Sequence, residues 1–411
     1  MTATDIQNLD EYDLWCHGLL ADPYPFYDRM RAEDPVHWSE PLQSWVLTRY
    51  KDIHAAFLDS NRLASGRVDA FFQLIAEPLR SQLGPLYEYM CRWLVMTDPP
   101  DHVRLRKLMN KAFSPRMIET RRPRIEQNVN ELIDKVEGRG RMDLIRDFAY
   151  PLPAVVIYQM LGLPADNQAQ FQTWSQEIAA FAGAGGLAAE GFAQQAQKSL
   201  LDFVEFCKQV IEQRRREPQD DLISTMIAAH EQGQTLSDLE MLAMCVMLFV
   251  AGHETTTGLI GNGTLALLKH PGELRRFKED PLLLTPAIEE LLRYDSSLQR
   301  QTRLPREDIV IGERKIATGQ PILLMQGAAN RDPEQFEDPN TLNISRQPNP
   351  HVAFGVGIHF CLGAPLARLE ARIAIPTLLN RLGNLQLDPD SQVKWRQNIS
   401  LRAMDSMPVI F

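Results

Sequence analysis

From about Ser237 to Lys269 the sequence reads as one long helix ahead of Pro271, and its first half, Met241 to Gly252, is apolar nearly all round. A helix with no polar face must be surrounded by protein on every side. The chain therefore has to place other elements around this rod. With 411 residues and 44% apolar side chains it has material for a large core. The apolar run is closed by His253 and Glu254, short of the roughly 20 residues a membrane-spanning helix needs. A buried core helix is expected, with no membrane association. Charged residues at 23% complete an ordinary globular composition and exclude wholesale disorder.

Other helical patterns fit this role. Residues 102–113 set Leu105, Leu108, Met109, Ala112 and Phe113 on one face, and residues 198–216 repeat the pattern up to Pro218. A helix beginning at Pro286 carries Glu290 and Arg293, and another runs on from Leu366. Val36–Trp38 and Trp45–Thr48 read as a hairpin. Asp308–Ile311, Arg314–Ile316 and Pro321–Met325 read as short strands, and Met407–Phe411 as an edge strand. Strands gathered at the two ends of the chain, not alternating with helices, argue against a doubly wound α/β fold. The expectation is a single domain over residues 1–411, mainly α with a small β region, with 1–21 a poorly defined N-terminal segment.

The net charge of −10 argues against a general nucleic-acid binder. Met1–Asp10 has no basic stretch leading into an apolar run, so no secretory signal is expected there. Five cysteines, widely spaced and without a CxxC pair, suit neither a disulfide framework nor a zinc site. A soluble, cytoplasmic protein is expected.

The most informative segment is Phe354-Gly355-Val356-Gly357-Ile358-His359-Phe360-Cys361-Leu362-Gly363-Ala364-Pro365. Glycines on both sides of Cys361 allow a tight turn that brings backbone close to a flat ligand. A helical pattern follows, so Cys361 sits just before a helix N-terminus, where unpaired N–H groups and the dipole favour a thiolate. Such a thiolate suits an axial iron ligand. An inert, buried cysteine is the ordinary alternative.

This stretch closely resembles the haem-binding loop of the cytochrome P450 family, the haem-thiolate monooxygenases. The resemblance implies the cytochrome P450 fold as a single haem domain, with haem b (iron protoporphyrin IX) as cofactor. It implies Cys361 as the proximal metal ligand, Phe354 packed on the thiolate side, Gly355 and Gly363 shaping the loop, and His359 reaching a haem propionate.

Three further constellations follow the family's pattern. Ala251-Gly252-His253-Glu254-Thr255-Thr256 interrupts the apolar helix with an acid beside a hydroxyl, costly unless it serves a purpose. A glycine next to threonine also permits a local bulge. The resemblance makes Glu254 and Thr255 the proton-delivering pair, with Ala251 and Gly252 at the kink where dioxygen sits. Glu290 and Arg293 share a helix face and resemble the buried structural pair near the cysteine loop. Its usual third partner is a basic residue where this chain has Thr341, and Arg331 and Arg346 are both available substitutes. His102 and Arg106, at i and i+4, with Arg303 and His359, resemble the set that grips the haem propionates.

By the same resemblance the substrate pocket draws on Phe71, Phe72, Tyr87, Tyr89, Phe181, Leu298 and Ile399, with Gly183, Gly185 and Gly186 in a mobile lid. An apolar lining suits a hydrophobic small molecule. The charges of the first pocket loop have no dominant sign, so no charged anchor is expected. The implied reaction uses O2 and inserts one oxygen atom into a C–H or double bond. No flavin or iron–sulfur pattern is present, so electrons are expected from an external ferredoxin and an NAD(P)H-dependent reductase. Residues 102–124 hold eight Lys/Arg against one acid; with Arg368 and Arg372 they read as a docking face for that partner. The protein is expected to act as a monomer. A peroxide-driven haem-thiolate hydroxylase and a non-catalytic haem sensor or carrier are the alternatives; Glu254-Thr255 speaks against both.

Overall fold

The computed structural model describes residues 21–164, 167–183, 190–231 and 236–411. The expectations for residues 1–20 and for Gly185 and Gly186 lie outside the described residues. The protein is 59% helical with small sheets, as the mainly α reading requires. In chain order the principal helices are α1 (Tyr24–Glu33), α2 (Tyr50–Leu58), α3 (Asp101–Ala112), α4 (Arg122–Asp134), α5 (Pro151–Leu161), α6 (Gln168–Gly183), α7 (Glu190–Arg216), α8 (Asp238–Lys269), α9 (Leu284–Tyr294) and α10 (Ala364–Arg381).

The chain divides into two compact units. The first contains the chain up to Arg67, Gly258–Cys361 and Leu385–Ile410; the second contains Val68–Thr257 and Leu362–Asn384. In the first unit five strands form a sheet in the order β1 (Val36–Ser39), β2 (Ser44–Leu47), β8 (Ile322–Leu324), β5 (Gln301–Pro305), β3 (Leu63–Ala64). The expected hairpin is present, with Trp38 opposite Trp45, and β2 runs parallel to β8 with Val46 beside Leu323. Two of the short strands read from sequence pair antiparallel with each other, as β6 (Ile309–Ile311) and β7 (Arg314–Ile316). β5 escaped the sequence pattern because Gln-Thr-Arg carries no alternating apolar signal; its partners β8 and β3 impose the extended conformation. Near the C-terminus β12 (Pro408–Ile410) pairs antiparallel with β9 (Gln386–Leu387). Met30, Val46, Leu47, Ile53, Ile316, Ile322 and Leu324 are fully buried at the centre of this unit.

The second unit is helical, and aromatic stacking fills its interior. Phe203 of α7 lies on Phe249 of α8 with ring centroids 4.1 Å apart, and Tyr158 of α5 stacks on Phe249 at 5.6 Å. α8 matches the long helix read from sequence. It is longer than its apolar opening run, because Leu259, Ile260, Leu265 and Leu267 extend the apolar character. By length and composition alone α8 could cross a membrane, but 83% of its most apolar window is buried in the protein. α9 starts at Leu284, two residues before the expected Pro286, since proline is tolerated anywhere in a first turn where N–H groups have no helical partner.

Candidate active site

The cysteine loop belongs to the first unit. Gly355 and Gly357 both have positive φ, +66° and +75°. A Cβ on Gly357 would stand 2.9 Å from the Phe57 carbonyl oxygen, so glycine is demanded there by space as well as by backbone conformation. The Cys361 N–H donates to the Phe354 carbonyl at 2.9 Å, closing the loop. The Phe354 ring meets Phe360 edge-on at 6.2 Å. Cys361 is half-buried and is not in a disulfide. Helix α10 opens three residues later, with Gly363 at its N-cap and Pro365 in its first turn, as the sequence pattern indicates.

Behind this loop, the Glu290–Arg293 pair is fully buried, both side chains at 0% exposure. Arg293 grips the carboxylate with two bonds of 2.8 Å, from Nε and Nη2. The choice between Arg331 and Arg346 as third partner is made by geometry. Arg346 Nε donates to Glu290 Oε2 at 3.2 Å. Arg331 is held elsewhere, its guanidinium 4.0 Å and 3.8 Å from the ring centroids of Tyr24 and Tyr294 and bonded to the Tyr294 carbonyl. The Asn343 N–H at 3.0 Å and the Asn349 amide at 3.1 Å complete the donors on Glu290. Arg293 also donates to the carbonyls of Asn330, Pro339 and Thr341, so the guanidinium sets the path of the chain leading toward the cysteine loop.

In the second unit, α8 presents Ala251, Gly252 and Thr255 as exposed or half-exposed positions, while His253, Glu254, Thr256 and Thr257 are buried. The spacing i, i+1, i+4 puts the three accessible residues on one face. α8 stays α-helical through this segment, without the expected bulge; the Thr255 hydroxyl instead donates to the Ala251 carbonyl at 3.2 Å. Gly252 has a packing role that the sequence did not reveal: a Cβ there would lie 2.8 Å from Ile157 Cγ1 of α5.

Glu254 is 2% exposed and stands in a polar cluster. His253 Nε2 lies 3.6 Å from its Oε1 and 3.2 Å from the Tyr150 hydroxyl. His253 Nδ1 is 2.8 Å from the Phe249 carbonyl, which can only accept, so Nδ1 carries a proton. Burial and then the charge of Glu254 push the Tyr158 phenol well above its ordinary range. Nothing in the local sequence around Tyr150, Ile157 and Tyr158 marks them; only tertiary packing brings Tyr150 to His253, Ile157 to Gly252 and Tyr158 near Glu254.

His102, 2% exposed, and Arg106 lie one turn apart on α3. Burial, and next the neighbouring charge of Arg106, holds the His102 imidazole below its usual pKa. In the first unit Arg303 is 2% exposed, its guanidinium 5.3 Å from the Phe57 ring centroid, and Nη1 donates to the Thr302 carbonyl at 2.9 Å. His359 is half-buried within the loop. Of the pocket residues read from sequence, Phe71, Phe72, Tyr87 and Phe181 come together: Phe71 meets Phe181 at 5.1 Å and Phe72 meets Tyr87 at 5.2 Å. Tyr89 is buried, with no ring contact to this group among the described residues. Leu298 and Ile399 lie in the first unit, where Leu298 forms a bridge with Leu401 and Ile399 joins the core.

Residues 37–404 match the family model described as Cytochrome P450. The chain belongs to the cytochrome P450 family. It is 39% identical over 397 residues to the polyketide biosynthesis cytochrome P450 PksS of Bacillus subtilis, covering 94% of this chain and 95% of that one. It is 36% identical to the vitamin D(3) 25-hydroxylase of Pseudonocardia autotrophica over 97% of this chain and 96% of that one. The crystal structure of myxobacterial cytochrome P450 CYP267B1 in complex with myristic acid superposes with a TM-score of 0.88 at 39% identity, covering 97% and 98% of the two chains. The fold is thus the cytochrome P450 fold, and the protein is an oxidoreductase of the bacterial monooxygenase type with haem b as its cofactor.

The residues present suit that group. A half-buried thiol sits in a loop whose glycine backbone leaves no room for side chains, one turn before a helix N-terminus. This donor set suits a flat, anionic ligand with a thiolate-binding metal.

Proposed function

We propose that this cytochrome P450 inserts one oxygen atom from O2 into a hydrophobic small molecule, by hydroxylation or epoxidation, with electrons supplied singly by an external ferredoxin and its NAD(P)H-dependent reductase. The chain acts as a single haem domain, a cytoplasmic monomer. Cys361 holds the haem, His102, Arg106, Arg303 and His359 hold its propionates, and Phe354, Gly355 and Gly363 shape the loop. When bound, the haem supplies dioxygen activation and oxygen transfer.

The observation that carries the reading is the buried acid next to an accessible hydroxyl on one apolar helix. Glu254 is inside, backed by His253 and Tyr158; Thr255 is outside, on the face shared with Ala251 and Gly252. Thr255 Oγ1 holds a proton at that face, and Glu254 replenishes it from the interior. The polar cluster behind Glu254 gives the carboxyl a route for recharging. An apolar lining from Phe71, Phe72 and Phe181 excludes water and orients the substrate. The range of the relatives fits such a site: one is named for polyketide biosynthesis, one for hydroxylating vitamin D(3), and one was crystallised with myristic acid.

For the electron donor, α3 and the segment after it offer Lys107, Lys111 and Arg116 as exposed cations with no ion pair among the described residues, whereas Arg104, Arg121 and Arg122 are engaged by acids. The unengaged cations are the ones able to meet an acidic partner.

The test has two parts. The reduced protein with carbon monoxide is expected to give the red-shifted Soret band of a thiolate-ligated haem, and Cys361→Ser to lose it. Thr255→Ala is expected to keep that band and dioxygen consumption but to divert most reducing equivalents from product to peroxide. Unchanged coupling in Thr255→Ala would remove the proton-delivery role.

A further inference from the structure

Arg300 belongs to none of the roles above. It lies in the first unit between α9 and β5, is 8% exposed, and takes part in no ion pair among the described residues. Its single side-chain hydrogen bond there runs from Nε to the Ser400 hydroxyl at 3.0 Å. The four Nη donors of the fork have no protein acceptor among the described residues. A buried cation is unfavourable unless an anion joins it.

The surroundings add donors and withhold acids. A second cation, Arg67, is near enough to repel Arg300, and burial with that repulsion pulls the Arg300 guanidinium down to about 10, against the opposing influence of Tyr27. The Tyr27 hydroxyl has no hydrogen-bond partner among the described residues. The carboxylate in this neighbourhood, Asp295, is taken by the Tyr24 hydroxyl at 2.6 Å and by Arg402. Arg300 itself is therefore left without an acidic partner among the described residues.

Its position makes that charge useful. Leu298 bridges to Leu401, and the Gln299 N–H donates to the Ser400 carbonyl at 2.8 Å, so Arg300 and Ser400 project from one paired segment. That segment packs tightly on α8: a Cβ on Gly258, one turn beyond Thr255, would lie 2.6 Å from Ser297 Oγ and 3.2 Å from the Arg402 carbonyl. Leu298, Ile399 and Leu401 supply apolar surface beside the charge.

We propose that Arg300, assisted by Ser400, Tyr27 and Arg67, is the anchor for a substrate carboxylate, so that this enzyme acts on apolar molecules ending in a carboxylic acid. The planar fork of arginine matches a carboxylate two bonds at a time. The inference rests on the monooxygenase reading and narrows its substrate class; it also replaces the expectation of no charged anchor, which considered only the first pocket loop.

The experiment titrates the haem-loaded ferric protein with tetradecanoate and with its methyl ester, reading the spin-state shift. Wild type is expected to bind the acid at least about tenfold more tightly than the ester. Arg300→Leu and Arg300→Gln are expected to weaken acid binding by about ten- to hundredfold while leaving the ester unchanged. Arg300→Lys is expected to recover part of the loss. Equal binding of acid and ester by wild type, or no response to either while neutral apolar molecules shift the spin state, would overturn the anchor. Loss of haem from Arg300→Leu would also overturn it, assigning the arginine to a cofactor carboxylate. If the Leu variant fails to fold, Arg67→Gln, on a half-exposed residue, is expected to weaken the acid selectively. The carbon monoxide band of the wild type, read separately, reports on the monooxygenase class itself.

Discussion

Replacing Arg346 by methionine tests how the buried Glu290 hub divides its work. Five donors reach the Glu290 carboxylate: Nε and Nη2 of Arg293, Nε of Arg346, the Asn343 N–H and the Asn349 amide. Arg346→Met removes one charge-assisted bond and the guanidinium's contacts to the carbonyls of Glu337, Asp338 and Thr341, while the methionine stem keeps most of the packing. Glu290 remains paired with Arg293 and bonded by both asparagines. The cost should be that of one charged hydrogen bond, about 2–3 kcal/mol. Arg293→Met differs in kind. It strips two donors from a carboxylate at 0% exposure and leaves the carbonyls of Asn330 and Pro339 without their 2.8 Å donor. Breaking a buried pair on one side costs about 3–5 kcal/mol before the carbonyls are counted. That is a large part of a typical domain's stability. Urea unfolding, with haem content of the purified protein as a second reading, compares the variants. Arg346→Met should fold, bind haem and unfold at lower urea; Arg293→Met should yield little haem-loaded protein. Equal losses in the two variants, or a cost below about 0.5 kcal/mol for Arg346→Met, would refute the assignment of Arg346 as third partner.

Glu370 of α10 is fully buried and neither carboxylate oxygen has a hydrogen-bond partner among the described residues, so burial holds its pKa well above the usual carboxylate range. The folded protein keeps this proton after the unfolded chain has released it. Stability from this group is therefore complete below about pH 4 and falls with rising pH, by up to ~1.4 kcal/mol per unit, until the folded pKa is passed. Glu370→Gln should remove that slope; a difference from wild type that stays constant between about pH 5 and pH 8 would contradict it. Gly252→Ala should cost about 1–3 kcal/mol through its clash with Ile157, and Ile157→Ala should rescue it in a double-mutant cycle with measurable coupling. Lys107→Glu with Lys111→Glu should slow reduction by ferredoxin about tenfold at low salt and flatten its ionic-strength dependence, with the carbon monoxide band unchanged.

What the sequence disclosed was what local pattern encodes. The all-round apolar run fixed α8, and the glycines about Cys361 marked the loop that the structure closes with the Cys361–Phe354 bond. Features decided by distant partners were not legible. Arg331 and Arg346 are equivalent as letters; Tyr24, some 300 residues earlier, claims one by stacking and leaves the other to Glu290. Gly252 read as the place for a local bulge because a helix-interior glycine next to threonine permits one, but the space it vacates is filled by Ile157. Arg300 carried no signal at all, since a charge becomes informative only when its surroundings are seen to lack the opposite one.

The hub described around Arg293 has a consequence for drift between relatives. Arg293 and Arg346 read main-chain oxygens along residues 337–341, not side chains, so Glu337 and Thr341 are constrained in their path and almost free in their letters, while the Asn340 side chain is tied to Arg331 and Asp28. Thr341 needs no charge of its own because its backbone carbonyl accepts from both Arg293 and Arg346. Saturation libraries at 337 and 341 should tolerate nearly every residue, substitutions of Asn340 should cost its side-chain bonds to Arg331 and Asp28, and the stretch should reject insertions.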